Sequence, residues 1–462
     1  MNCIFICVFN NETYIKLLYL LLESIYIYGN LTKDIDILIY TSTPFMNIIK
    51  KSHLCIENIK FEINDNYNNI DTACKARLDL FNFPVITNYN KILYLDTDVL
   101  ITGDIKPIFD LVDEDKLYVL EEGSENGYNL LTDSDDYWGG KTLFSQEERD
   151  NLDTKFGFTS GMMAFNNCEI IKGLFDQVKQ DIIARPHHFS CYDQPYIVYN
   201  AFKLQLINKK LSTYAANNDT NVHSNKIIHH FPGRAGIAEN KIDKMKEYLN
   251  NMKDLAINLN INKAKEFINE HLLPIIIASG EKLEGNIFML HHTTDYTNVY
   301  ENKAKNISNL VLNKHITNVM EIGFNAGFSA LLMLLTNPYL KLTCFDLGEH
   351  KYALPCFEKI QETFGAERIN ITFGDSTKTL IDVHETYDLI HIDGGHEVAV
   401  ASSDIENAYR LAKEKTILIM DDYNFWWLGP VWNKYIIQYG LCPLHINLYN
   451  TNQHDVKYVP YL

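Results

Sequence analysis

Positive charge is scarce in this chain of 462 residues: 41 Lys and Arg stand against 59 Asp and Glu, a formal net charge of -18 and a pI near 5.3. Such a surface repels polyphosphate unless basic side chains are gathered in one place. No such cluster stands out, so a nucleic-acid partner is excluded. Long apolar runs are missing as well. Lys16 and Glu23 interrupt the most apolar early segment, and no transmembrane segment is expected. No basic start, apolar core and small-residue cleavage site precede the first predicted strand, which points to a cytoplasmic protein. Cysteine is thin and scattered: nine thiols, with Cys3, Cys7 and Cys344 inside predicted strands and no metal-type spacing, read as buried thiols of a reducing compartment. No Pro- or Gly-rich linker and no internal repeat is present. The wealth of Asn, Ile, Lys and Tyr suits an AT-rich genome, of a low-GC cell or a large DNA virus; for a virus the compartment would be the host cytoplasm.

At 46% hydrophobic and 22% charged residues the composition is globular, and the length exceeds one ordinary core, so two or three domains are expected. Cys3 to Phe9 reads as a buried parallel strand. Tyr14, Leu17, Leu18, Leu21, Leu22 and Ile25 share one helical face, and Ile35 to Tyr40 is the next strand. This is a nucleotide-binding βαβ start without the Gly-rich fingerprint. The most informative stretch is Lys91-Ile-Leu-Tyr-Leu-Asp-Thr-Asp-Val-Leu100, where an apolar strand delivers Asp96 and Asp98 to its carboxyl end. Two hard oxygen donors at that spacing suit a divalent cation carrying a diphosphate. Read alone, they are equally well solvated turn acids.

The company that pair keeps resembles the family 8 glycosyltransferases, retaining enzymes of the GT-A fold. Asp96-Thr97-Asp98 stands at the family's Asp-x-Asp, Lys75-Ala-Arg77-Leu at its arginine-bearing helix, and Gly157-Phe-Thr-Ser-Gly161-Met-Met-Ala-Phe-Asn166 at its acceptor-side strand. Tyr192-Asp193-Gln194 matches its Asp-Gln pair, and His230-Phe-Pro-Gly233 its late metal-binding histidine. The resemblance implies that Asp96, Asp98 and His230 hold Mn2+ or Mg2+ on a nucleotide sugar, a UDP-sugar above all, that Arg77 contacts phosphate or nucleotide, and that Val8, Asn10 and Tyr14 face the uridine. Tyr14 reads alternatively as a core helix residue. Asp193 and Gln194 would line the sugar near its anomeric carbon as the catalytic pair. The family's Lys-Pro-Trp is replaced by Arg234-Ala-Gly-Ile, which leaves Arg234 or Lys241 to grip the diphosphate.

A second chemistry starts at Val319-Met-Glu321-Ile-Gly323-Phe-Asn-Ala-Gly327-Phe-Ser329, a strand, a glycine turn and an apolar helix. About 25 residues on, Leu340 to Asp346 is a strand ending in an acid, at the spacing where a carboxylate meets ribose hydroxyls. Gly374-Asp375-Ser376, Tyr387-Asp-Leu-Ile-His-Ile-Asp393-Gly-Gly-His396 and Thr416-Ile-Leu-Ile-Met-Asp421-Asp422 follow, with a crossover helix at Val398 to Ala412 and apolar runs at 441–448 and 456–461 that suit a closing hairpin. From about Ile287 onward this resembles a class I S-adenosylmethionine-dependent methyltransferase of the metal-dependent O-methyltransferase branch. The resemblance implies that Glu321, Gly323, Gly327, Asp346, Asp375 and Ser376 bind S-adenosylmethionine and that Asp393, Asp421 and Asp422 bind Mg2+. His396 takes the acceptor's hydroxyl proton, or merely caps the helix after it.

The expected fold is therefore α/β throughout: a GT-A nucleotide-sugar transferase fold over 1–239, a helical connector over 240–286, and a class I, Rossmann-like methyltransferase fold over 287–462. The expected function is a bifunctional enzyme of glycan assembly that adds a sugar from a nucleotide sugar to a glycan or glycosylated acceptor and methylates a sugar hydroxyl. Two alternatives stay open, a transferase acting on protein beside an independent small-molecule methyltransferase, and a binding scaffold with one inactive domain; homo-oligomerisation is left open too.

Overall fold

Apolar runs without alternation predict strands covered on both faces, and β1 (Asn2–Val8) and β2 (Ile35–Thr41) are two such strands paired in parallel at the start of the chain, with the alternating, partly exposed β3 (Ile59–Ile63) parallel to β2 at the sheet edge. β2 is buried along its whole length. β4 (Lys91–Leu95) lies parallel to β1 on its other side. β5 (Val99–Ile101) then leaves the sheet, and β6 (Leu117–Glu122), β7 (Gly157–Asn166) and β8 (Ile207–Asn208) extend it to the order β3-β2-β1-β4-β7-β6-β8, with β7 antiparallel to β4 and β6. β9 (Ala215–Asn217) and β10 (Ile228–His230) join β5 in a three-stranded sheet, β10 between the other two. The structure is a computed structural model that describes residues 1–123, 131, 135–152, 156–233 and 238–460; Arg234 and Tyr461, both singled out above, lie outside them.

By packing, the chain divides into 1–50 with 55–249, and 51–54 with 250–462. The second unit holds five parallel strands, β11 (Asn318–Ile322), β12 (Lys341–Asp346), β13 (Ile369–Phe373), β14 (Tyr387–Ile392) and β15 (Ala412–Met420). An antiparallel pair, β16 (Cys442–Pro443) and β17 (Asp455–Tyr458), completes the order β13-β12-β11-β14-β15-β17-β16. The hairpin is shorter than the apolar runs predict, because Pro443 has no N–H to continue a ladder and ends the edge strand.

In both units the chain leaves a central strand to either side: β1 stands between β2 and β4, and β11 between β12 and β14. The crevice beyond the carboxyl ends of such strands is where open α/β sheets receive ligands. Asp96 and Asp98 follow β4, and Asp393 follows β14, so each acid set falls at a switch point.

The connector is a helix, Ala238–Phe267, about 45 Å long at 1.5 Å per residue. A π-turn at Ile268–Leu272 precedes the helix Leu273–Ser279, whose Pro274 cannot donate back into the preceding turn. Leu255, Ile257, Leu259 and Ile261 alternate in sequence, but here Ile257 and Ile261 are buried with Ala264, Ile268, Leu272 and Ile276 on one helical face, while Leu255 and Leu259 are exposed. The division between the units falls within this helix, after Leu249. Among the described residues no helix is long and apolar enough to cross a membrane.

One backbone contact ties the second unit's switch point together. Gly323 has φ +94° and an added Cβ would lie 1.9 Å from the Asp393 carbonyl oxygen. Gly323→Ala is expected to lower the stability of this unit by about 3 kcal/mol, read as an earlier transition in urea, because it combines left-handed strain with a backbone clash.

Candidate active sites

In the first unit the sheet register assembles the site. β10 runs antiparallel to β5 with His230 opposite Val99, and the Phe231 N–H donates to the Asp98 carbonyl at 2.8 Å. That places His230 Nε2 3.5 Å from Asp98 Oδ1. Asp96, Asp98 and His230 each turn a donor atom to a common point, all within 4.8 Å of one another. β7 closes the floor: Gly161 accepts from the Asp96 N–H at 2.8 Å, and a Cβ on Gly161 would stand 2.6 Å from His230 Nε2.

The tautomer of His230 follows from its neighbours. Asn217 donates its amide N–H to Glu122 Oε1 at 3.0 Å, so its amide oxygen faces His230 Nδ1 at 2.8 Å and Nδ1 carries the proton. Nε2 is thereby the ring nitrogen turned toward the two aspartates. Asp98 Oδ1 is buried without a hydrogen bond, while Oδ2 accepts from Lys241 Nζ at 2.6 Å. Burial opposes the Asp98 charge, but His230 and Lys241 outweigh it and hold the carboxyl well below its usual range. This donor set suits a divalent cation.

Arg77, expected to meet a phosphate, is turned to protein instead. Its guanidinium is buried, donates to the Ser160 carbonyl at 2.6 Å, pairs with Asp193 at 3.0 Å and lies 3.7 Å from Asp96. The reason is Asp193, which has no exposure and needs a cation beside it. Burial still pushes the Asp193 carboxyl up to about 6 against the pull of Arg77. Gln194 follows at the first turn of the helix Gln194–Lys203; its amide oxygen accepts from the Ser160 N–H at 2.9 Å and its nitrogen donates to the Tyr137 carbonyl at 3.1 Å. Tyr14 is half-buried rather than core, and burial, then Cys74 and the two aspartates, raise its hydroxyl to about 12. Asn10 is exposed at φ +71°, whereas the Val8 side chain is in the core and its carbonyl accepts from Thr41.

In the second unit Glu321 and Asp346 are both engaged by the protein. Glu321 is fully buried and holds Ser329 Oγ at 2.5 Å and His391 Nδ1 at 3.1 Å, so it faces the core. Asp346, half-buried, accepts through Oδ2 from the Phe324 and Asn325 N–H groups at 2.9 and 2.7 Å, and through Oδ1 from Gly348 at 2.8 Å. Its carboxylate thus fixes the glycine turn between Gly323 and Gly327 beside the end of β12. Asp375 caps the short helix Ser376–Thr379 through the Thr377 N–H at 3.0 Å, with Ser376 beside it, both half-buried at the end of β13.

The acids after β14 and β15 form two faces. His391, Asp393 and Asp421 make the buried one, and Asp393, His396 and Asp422 the outer one. Asp421 is ion-paired with Lys303 Nζ, and His391 Nε2 lies 3.6 Å away, too far for a hydrogen bond. Burial works against charge on His391, but Asp421 and Glu321 prevail and raise it to about 10. Burial and Asp421 push the Asp393 carboxyl well up. His396 does not cap the following helix, whose N-cap is Glu397; its Nε2 meets Asp422 Oδ2 at 2.9 Å, a bond that raises its proton affinity. Lys303, His391 and Asn217 carry no motif and go unseen in the sequence. Lys303→Met is expected to remove one of the two buried cations, Lys303 and His391, that face Asp421 and Asp393, and to cost this unit about 3–5 kcal/mol, measured by denaturant titration.

Residues 22–234 match the family model described as glycosyl transferase family 8, and residues 320–423 the model described as methyltransferase domain. No curated protein matches the chain. Among solved structures the chain is similar to the galactosyltransferase LgtC in complex with donor and acceptor sugar analogues, at 15% identity over 53% of this chain and 95% of that one, with a TM-score of 0.36. It is similar to mouse xyloside xylosyltransferase 1 in its apo form, at 12% identity over 50% and 97%, TM-score 0.35. StiE O-MT is similar at 27% identity over 28% of this chain and 46% of that one, TM-score 0.23. The chain is an enzyme of two transferase domains, a glycosyltransferase of family 8 followed by a methyltransferase.

Proposed function

We propose that the first domain transfers a sugar, with retention and with the help of a divalent cation, from a UDP-sugar to a glycan or glycosylated acceptor, and that the second methylates a hydroxyl of that sugar or of its neighbour. The observation that carries the reading is Asp98 Oδ1, buried and unbonded, with His230 Nε2 facing it at 3.5 Å. Asp96, Asp98 and His230 are the residues that would hold Mn2+ or Mg2+, and such an ion supplies the positive charge a departing diphosphate needs. Lys241 stands on Asp98 and is placed to add its own charge to the phosphates. Asn10 and Tyr14 flank the nucleotide end. Asp193, fixed by Arg77, keeps a carboxylate near the position where the sugar's anomeric carbon gains positive charge, and Gln194 retains one amide N–H for the sugar.

In the second domain the turn from Gly323 to Gly327, with Asp375 and Ser376, is the place for S-adenosylmethionine, which supplies the methyl group. Asp393 and Asp422 are the residues that would hold Mg2+, with Asp421 fixed behind them by Lys303; that ion lowers the pKa of a chelated hydroxyl. His396 lies at the rim to receive the hydroxyl's proton. A vicinal diol of a sugar presents the two oxygens such a site takes. One polypeptide carrying both activities raises the effective concentration of the glycosylated product at the second site. All nine cysteines are free thiols, which suits a cytoplasmic setting.

Two experiments test this. Gly161→Ala is expected to weaken Mn2+ binding at least tenfold by calorimetry, because its methyl displaces His230 Nε2. Asp98→Ala is expected to abolish release of nucleoside diphosphate from UDP-sugars while S-adenosylhomocysteine production continues, and Asp393→Ala to do the reverse. Loss of both activities in either variant would refute two independent sites.

A further inference from the structure

Of the five residues Tyr423, Asn424, Phe425, Trp426 and Trp427, four are aromatic, and they include two of the chain's four tryptophans. They follow Asp422 directly. Residues of this kind ordinarily enter a core, yet Trp426 is 82% exposed. Its surroundings are ordered. The Phe425 N–H donates to the Asp422 carbonyl at 2.9 Å, closing a turn on an acid of the site. The Phe425 and Trp427 rings stack 5.0 Å apart at 6°, and Trp426 meets Trp427 edge-on at 5.4 Å. The Phe425 ring meets His396 edge-on at 5.2 Å, and Trp427 Nε1 donates to the His396 carbonyl at 2.9 Å. An exposed indole is thus mounted on a fixed aromatic pair that also braces His396, whose own Nε2 is 2.9 Å from Asp422.

A bare indole beside an oxygen-seeking acid cluster suits a ligand with one apolar face and one polar edge. A pyranose ring has both. Its axial C–H groups form an apolar, weakly electropositive face that the negative π-surface of tryptophan attracts, and its hydroxyls project from the rim. We propose that Phe425, Trp426 and Trp427 form the acceptor platform of the second domain: the C–H face of a pyranoside lies on Trp426 and its vicinal hydroxyls turn to Asp393, His396 and Asp422. This rests on the methyl-transfer reading above and names the residues that would seat its sugar ring.

The test uses the full-length protein with Mg2+ and S-adenosylhomocysteine, methyl hexopyranosides as probes and catechol as a flat aromatic control, followed by saturation-transfer NMR. Ring C–H protons of a pyranoside are expected to receive saturation, Trp426→Ala to weaken that binding about tenfold, and Trp426→Phe to restore part of it. S-adenosylhomocysteine affinity by calorimetry is expected to be the same in all three proteins. Trp427→Phe keeps the stack but removes the hydrogen bond to His396, and is expected to lower kcat for methylation more than it raises KM. No pyranoside signal in the wild type, a signal that survives Trp426→Ala, or binding of catechol alone would overturn the platform. Failure of the wild type to bind S-adenosylhomocysteine would overturn the methyl-transfer reading and the platform with it.

Discussion

A carboxylate taken out of water has to be met by positive charge or by donors, and this strongly acidic chain buries Asp98 and Asp421 just beyond strands and Asp193 just before a helix. Each is met from a different part of the sequence. Arg77, from the 3-10 helix Ala76–Asn82, neutralises Asp193; Lys241, from the long helix, reaches Asp98; Lys303, from the helix Glu301–Val311, reaches Asp421. The cations and acids lie far apart in sequence, so the sites exist only when the units have folded. The scarcity of basic residues seen in the composition is thus compatible with a few being placed where their loss would be felt most.

Compensation is uneven within each cluster. Asp98 has one oxygen on Lys241 and the other bare and buried. Asp421 is enclosed by Lys303 and His391, whereas Asp422 on the outer face meets His396. Negative charge without a full partner therefore remains beyond the strand ends in each unit. Placing it at a switch point keeps the supporting strands buried and rigid while the acids themselves stay within reach.

Much of this architecture was legible in the sequence because parallel strands announce themselves as unbroken apolar runs, and an acid pair just beyond one is easy to see. The strand before Asp96 and the last four residues before Asp421 follow that rule, while those at Asp346 and Asp393 carry polar residues among the apolar ones. Roles that depend on direction are not legible in this way. A carboxylate in or ending a strand reads the same whether it meets a ribose, a backbone loop or, as Glu321 does, a buried histidine. Arg77 reads as a phosphate ligand until the buried Asp193 is seen to claim it. Lys303, His391 and Asn217 carry no local signal at all, since only tertiary packing and strand register bring them to their partners.

The two histidines at the sites illustrate how context separates identical side chains. His230 is oriented by an amide whose own N–H is held by Glu122, which puts a proton on Nδ1 and turns Nε2 toward the aspartates. His396 instead rests its Nε2 on a carboxylate, which favours the protonated ring. A group that draws the negative charge of Asp422 toward itself weakens that hold and frees the nitrogen to accept a proton. The charge on the outer acid face and the basicity of His396 are therefore linked by the contact between them.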